Sequence, residues 1–468
     1  MMRAEKKRRF LLYDKSQIDM EHLMYGRRAL FALLIPVIVE QLLNSLMGMV
    51  DTMMVSNVGS AAISAVSLVD SVNNLVIQVF SALAAGATII CAQYLGKKDK
   101  EGCNRAASQV FLTVTVISVG LTVLCVLLRR PLLTLVFGRV DEEVMSDCLI
   151  YFLLTALSYP FMALFSTGSS LYRAAGNSRF PMAVSVISNI GNVAGNAVFI
   201  FGLHMGVAGA ALSTLLSRVV CTLVILAALR KPEQDIMFRD YLRICPDFRM
   251  IGMVLAVGIP SGIENGMFQF GKLAIQSTVS TMGTAAIAAQ AMTIILEMLN
   301  GIGAIGVGIG LMTVVGQCIG AGRIEEAKYY IVKLTVYAEI ILAASCVLTL
   351  LLTKPVIFLG GMEAQSAELC MEMMIAITIV KPLVWVLSFI PGYGMRAAGD
   401  VRFSMLASSA TMWLCRVALC IYLVRVWGFG PMAVWIGMFA DWTIRSVLFG
   451  WRFVSGRWLK HQVLTPTA

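Results

Sequence analysis

Apolar residues fill this chain in blocks of helix length, separated by short polar turns. Twelve blocks can be marked, at about 30–56, 62–94, 106–128, 148–172, 181–202, 207–229, 250–280, 284–317, 329–352, 369–394, 404–426 and 430–451. A helix needs roughly 20 apolar residues to cross the hydrocarbon of a bilayer, and each block reaches or approaches that length. Several exceed it, which predicts tilt or protrusion. A barrel would instead show segments of about ten residues with strict alternation. The pattern therefore predicts an all-α polytopic membrane protein with twelve transmembrane helices.

The blocks repeat. A shift of 224 residues carries Pro36 onto Pro260, Glu40 onto Glu264, Gly59 onto Gly283, Gly86 onto Gly310 and Gln93 onto Gln317. A shift of 223 carries RAAGNSRF at 173–180 onto RAAGDVRF at 396–403. Six spans per half make both halves enter the membrane in the same direction, so they are parallel repeats about an axis along the membrane normal. Two pseudo-twofold six-helix bundles are expected. They would be an N-terminal lobe at 29–229 and a C-terminal lobe at 250–455, joined by a cytoplasmic linker at 230–249. A cytoplasmic segment at 1–28 and a tail at 456–468 complete the chain. Such lobes would enclose a central cavity, and their rocking would give alternating access.

Composition sharpens this picture. Of 468 residues, 58% are hydrophobic and 14% charged, against about 45–50% and 25% in soluble domains. The net charge of +10 does not point to nucleic acid, because the basic residues sit in loops between spans. With the N-terminus inside, the outer loops hold only Arg129, Arg130, Arg139, Lys354 and Arg425, and the other loop cations lie inside. By the positive-inside rule both termini are cytoplasmic, in an inner membrane. Phe10 to Tyr13 is too short an apolar run to make the basic N-terminus a secretory signal. Eleven Cys without a CxxC pair read as free thiols.

The polar residues inside spans carry the candidate chemistry. In the first span Glu40, Asn44 and Asp51 lie about 40°, 80° and 60° round the helix from Pro36, so they share one stripe. A carboxylate in hydrocarbon costs on the order of 3 kcal/mol or more, so such a stripe should face protein or water. The fifth span places Ser185, Ser188, Asn189, Asn192 and Asn196 within a sector of roughly 100°. Amide oxygens can ligate a hard cation or accept from a protonated acid. The seventh span carries Glu264, Asn265, Gln269 and Lys272, and an internal Glu264–Lys272 pair is expected. Asp441 and Arg445, at i and i+4, should pair. Arg218 and Lys381 read as snorkelling cations. Gly301, Gly303 and Gly306 spell GxGxxG, but no strand precedes them, so close helix packing is the better reading than nucleotide binding.

Twelve spans in two homologous halves, VDTMMVSNVG in the first span, GIPSGIE opening the seventh and the RAAGN/RAAGD pair resemble the multidrug and toxic compound extrusion (MATE) family over about residues 25–455. That resemblance implies two six-helix bundles exporting drugs and organic cations in exchange for H⁺ or Na⁺. It implies an ion-coupling site at Asp51, Asn192, Asn196 and Thr214, where Asp51, Asn192 and Asn196 could hold Na⁺. Where some members carry acids, this chain has Trp385 and Phe268, which speaks against a second cation site in the C-terminal lobe. The matched pair Glu40 and Glu264, with Asn44 and Gln269, is expected to line the substrate cavity. The expected protein is a monomeric antiporter with no catalytic residues and no cofactor beyond the coupling cation. Its partners would be drug-like small molecules and membrane lipids, and no nucleic acid. A lipid-linked oligosaccharide flippase, a membrane enzyme and a channel are the rival readings; no HExxH, GxSxG or Cys/His metal spacing supports the enzyme.

Overall fold

A computed structural model describes residues 12–138, 141–231, 235–237 and 244–460. The basic run Arg3 to Arg9, the loop residue Arg139, most of the linker and the end of the tail lie outside the described residues. Among those described, the chain is helical throughout and has no strand. The spans are α1 (Arg27–Ser56), α2 (Ser60–Gly96), α3 (Lys100–Leu127), α4, α5 (Arg179–Asn196), α6 (Gly206–Leu229), α7 (Phe248–Val279), α8 (Thr284–Gly320), α9 (Ile324–Leu359), α10 (Ala364–Ala397), α11 and α12 (Met432–Val454). The fourth, α4, is broken into Glu142–Leu157 and Tyr159–Ala174, with a bend of 41°. Its second segment starts with Pro160 in the first turn, where the missing N–H costs no helical bond. The eleventh, α11, runs Val401–Thr411, then a π-helical turn Met412–Ala418, then Leu419–Trp427. Eleven of these helices can cross a membrane alone, and the bent pair makes twelve. The sequence therefore marked the elements correctly, because hydrocarbon leaves the backbone no alternative to internal hydrogen bonding.

The longest helices, α2 and α8, have 37 residues each, or about 55 Å at 1.5 Å per residue. That exceeds the hydrocarbon thickness of about 30 Å, so part of each belongs to the interface or beyond.

The chain forms two compact units whose limits fall inside helices. The N-unit is Val39–Gly262, and the C-unit is the described residues up to Ile38 together with those from Ile263 onward. Both crossings lie two residues after a repeat-related proline, Pro36 and Pro260. So the first turns of α1 pack with the second half of the chain, and the first turns of α7 with the first half. Glycine makes room for both. A Cβ on Gly306 of α8 would stand 2.6 Å from Ile38 Cγ1 and 2.9 Å from Ile38 Cα. A Cβ on Gly258 of α7 would stand 2.8 Å from Leu83 of α2. Gly306 belongs to the GxGxxG run, which thus serves close helix approach, as expected for small residues in membranes.

Within the C-unit the segment before α1 is tied to the start of α9. Asp14 N–H donates to Glu325 at 2.8 Å, Met24 N–H to Glu326 at 2.6 Å, and Tyr25 exchanges two backbone bonds with the Tyr330 hydroxyl.

Candidate functional site

Three kinds of polar cluster lie inside the spans, and each copy keeps within one unit.

The first is in the N-unit around Asp51. It sits near the end of α1 and is half-buried. Asn196 Nδ2, on the last turn of α5, donates to Asp51 Oδ1 at 2.7 Å. Asn192, one turn earlier, completes the set when its amide is turned with Nδ2 toward Asp51. It then donates to the same oxygen at 2.8 Å, and its Oδ1 accepts from Thr214 N–H at 3.3 Å and Oγ1 at 3.2 Å. An amide orientation is assigned from such a network. Asn192 and Asn196 are buried. The carbonyl oxygen of Asn196 is buried and has no donor among the described residues. A buried acceptor without a partner is costly and is suited to a hard cation, which prefers oxygen ligands. The four residues expected to carry ion coupling are therefore side by side. The geometry is set by a small-residue contact: a Cβ on Gly195 would collide with Ser213, whose hydroxyl donates to Asn192 C=O at 2.8 Å. Directly after Asn196 the helix widens into a π-turn, Ala197–Gly202, a feature frequent at functional sites.

A second layer adjoins this cluster. Asp70 and Arg218 are near enough to Asp51 to act on its charge. Asp70 accepts from Asn73 at 3.1 Å and Tyr151 at 3.3 Å, and Asn73 in turn accepts from Tyr159 at 2.7 Å. Arg218 donates to Ser158 at 2.6 Å. The snorkelling expected of Arg218 is therefore corrected: its head is held by Ser158 within the unit. Reading the sequence span by span left Asp70 without a role. The aromatic hydroxyls that serve it, Tyr151 directly and Tyr159 through Asn73, are the signal that could have found it.

The second cluster occurs twice. In the N-unit Arg173 reaches Glu40 at 3.0 and 3.3 Å, and Ser185 donates to the same carboxylate at 3.3 Å. In the C-unit Arg396 reaches Glu264 at 3.1 Å, and Ser404 donates to it at 3.4 Å. Arg173 and Arg396 are the opening residues of the two RAAG motifs, so two repeats noticed separately are the two ends of one ion pair. Glu264 does not pair with Lys272, as the spacing suggested. Glu40 and Glu264 are buried and each carboxylate is compensated by an arginine of its own unit. Asn44 is exposed and Gln269 half-buried.

The third cluster is in the C-unit. Asp441 is fully buried between Arg445 at 2.8 Å and Arg416 at 2.9 Å. The i, i+4 pair was expected; Arg416 was not. Lys381 is fully buried, with its ammonium bonded to Glu297 and Asn300 and lying 5.2 Å from the Trp385 ring. The snorkelling reading of Lys381 is corrected as well, because a helix position alone does not reveal a partner on a neighbouring span.

Comparison with known proteins places the whole chain. A family model described as MatE matches residues 36–198 and again residues 260–422. The chain is 28% identical over 447 residues to "Uncharacterized transporter YisQ" of Bacillus subtilis (strain 168), covering 92% of this chain and 95% of that protein. It is 28% identical over 459 residues to "Probable multidrug resistance protein NorM" of Thermotoga maritima, covering 96% and 97%. A solved structure of a multidrug resistance MATE family transporter of the MOP superfamily, in an outward-facing conformation, matches with a TM-score of 0.86 at 21% identity, over 92% of this chain and 96% of that one.

Proposed function

Since the chain belongs to the MatE family of multi-pass membrane transporters, we propose that it exports amphipathic, often cationic small molecules from the cytoplasm in exchange for H⁺ or Na⁺. The observation that carries the coupling half of this reading is the Asp51 cluster. A half-buried carboxylate inside a span, bonded by two amides of which one is held in turn by the Thr214 hydroxyl, can take up and release a cation. Occupation by a proton or by Na⁺ neutralises it. The bound cation shifts the conformational balance of the transporter only by its differential affinity for the two states. Here Asn192 and Asn196 supply that difference, since their donors suit the bare carboxylate and their oxygens suit a bound cation.

Access then alternates between the two sides of the membrane, and cargo and cation are carried in opposite directions. H⁺ is favoured over Na⁺ as the ion, because Phe268 and Trp385 leave the C-unit without acids at the two positions where some family members carry them. The protein works as a monomer in the inner membrane with both termini in the cytoplasm, and a drug cargo is in keeping with the name of the relative "Probable multidrug resistance protein NorM".

The test is drug efflux from proteoliposomes under an imposed pH gradient or an imposed Na⁺ gradient. Asp51→Asn should fold and bind drug yet lose gradient-driven efflux. Efflux that survives this change unaltered refutes the assignment of Asp51.

A further inference from the structure

The C-unit cluster is opposite in polarity to the Asp51 site. In the N-unit two carboxylates, Asp51 and Asp70, lie around one arginine, Arg218. In the C-unit two arginines, Arg416 and Arg445, lie around one carboxylate, Asp441. The repeat position of Asp51, 224 residues on, is Ile275, so the acid site is not duplicated.

Around this triad the positive charge is in excess. Lys272, Lys381, Arg416 and Arg445 stand against two carboxylates, Glu297 and Asp441, paired into the cluster. Lys272 is within electrostatic reach of Arg416 and Glu297, and among the described residues it has no hydrogen-bond or ion-pair partner. It is not directed at lipid. On α7 the exposed apolar residues Ile263, Phe270 and Leu273 define one face, and Lys272 lies about 145° round the helix from its centre. It lies only about 40° from Phe268, which packs beneath both arginines, 5.7 Å from Arg416 and 4.8 Å from Arg445.

The arginines also carry donors that nothing uses. Arg416 and Arg445 are 5% and 1% exposed, and the Nε–H of each is buried without an acceptor. A chain rarely keeps unserved buried donors of charged groups unless something answers them. The walls beside them are aromatic: Phe389 stacks on Trp385 at 4.7 Å and lies 4.8 Å from Arg445. Lys272 is exposed, and Phe268 and Phe389 are partly so, which leaves this edge open to a ligand.

We propose that this cluster is an anion-recognition site, taking the carboxylate of an aromatic substrate between Lys272 and the two arginines while Phe268 and Phe389 take its ring. Guanidinium groups suit a planar carboxylate because their donors form a rigid fork. The proposal rests on the export reading and assigns these C-unit residues to the acidic group of an aromatic cargo.

The experiment is calorimetric titration of the full chain in phosphatidylcholine nanodiscs with 1-naphthoate, and with 1-naphthamide as its neutral counterpart. Naphthoate should bind about tenfold more tightly than naphthamide. In Lys272→Gln that preference should fall close to unity, and Lys272→Arg should restore it. Equal affinity for the two probes in the native chain overturns the proposal, as does a preference untouched in Lys272→Gln. Replacing a third of the lipid by phosphatidylglycerol should leave naphthoate binding unchanged. Competition by that lipid would give the site to a headgroup phosphate and overturn the assignment to cargo. Asp51→Asn separates the two readings: loss of coupled efflux with naphthoate binding intact supports both. Intact efflux in that variant removes the coupling reading and leaves this site to stand or fall on the titration.

Discussion

The Glu40–Arg173 pair allows a quantitative test. Its side chains are 5% and 12% exposed, so solvent screens the pair little. Arg173 bonds both carboxylate oxygens, Ser185 donates to one, and Arg173 also reaches Ser170 at 3.3 Å. Arg173→Met strands a carboxylate in the N-unit, and breaking a buried pair from one side costs about 3–5 kcal/mol. Glu40→Leu strands the guanidinium instead. That group keeps Ser170 and some solvent, so the cost lies nearer the ~1–3 kcal/mol of an unserved polar group. The double variant removes both charges and fills the site with apolar volume; such replacements are often close to neutral, within about 1–2 kcal/mol. The cycle should therefore show strong coupling, on the order of 2 kcal/mol or more, as expected for groups in contact. Detergent-driven unfolding in mixed micelles, followed by tryptophan fluorescence, measures all four species. Additive costs, with coupling under about 0.5 kcal/mol, would refute the view that the two residues act as one unit. Export adds a second reading. Because Glu40 answers Arg173, Glu40→Gln should lower efflux of cationic and neutral drugs by the same factor. A selective loss for cations would instead put Glu40 on the substrate path.

Three further outcomes follow from the geometry. Asn192→Ala and Asn196→Ala should each reduce Na⁺-driven efflux by tenfold or more if Na⁺ is the ion, and have smaller effects on H⁺-driven efflux, in the same proteoliposome assay. Gly306→Val should destabilise the C-unit by about 1–3 kcal/mol through overpacking against Ile38, whereas Gly120→Val, which has open space at its Cβ, should leave the unfolding midpoint unchanged. Cys245 is exposed while nine of the other ten cysteines are buried; a membrane-impermeant maleimide should label it in inside-out vesicles and not in intact cells, and the reverse would invert the topology.

The spans were legible because a lipid-crossing backbone must be apolar and helical for some twenty residues, a constraint written in consecutive positions. The neighbours of Asp51 were partly legible because polar residues that survive inside such spans need a reason: Asp51, Asn192 and Asn196 were visible as exceptions, whereas Thr214 was marked only by the family resemblance. Partners were not legible. Glu40 and Arg173 stand 133 residues apart, and both had been marked as repeated residues without being joined. Lys381 and Arg416 look alike on a helical wheel whether they reach for water or for Glu297 and Asp441. The limits of the packing units were hidden for the same reason: nothing in hydrophobic periodicity changes at Ile38 or Gly262, since the helix continues unbroken through both.

Those limits have a consequence for synthesis. As the ribosome releases the chain, α1 emerges with its opening turns intended for helices not yet made, among them α8 with Gly306. They wait while more than two hundred residues are translated. The N-unit in its turn cannot close when its sixth span is finished, because Leu83 awaits Gly258 of the seventh. A break placed in the 230–249 loop would thus yield two fragments, each missing one strip of its own interior and carrying one that belongs elsewhere. Co-expressed, they should reassemble; expressed singly, each should be degraded.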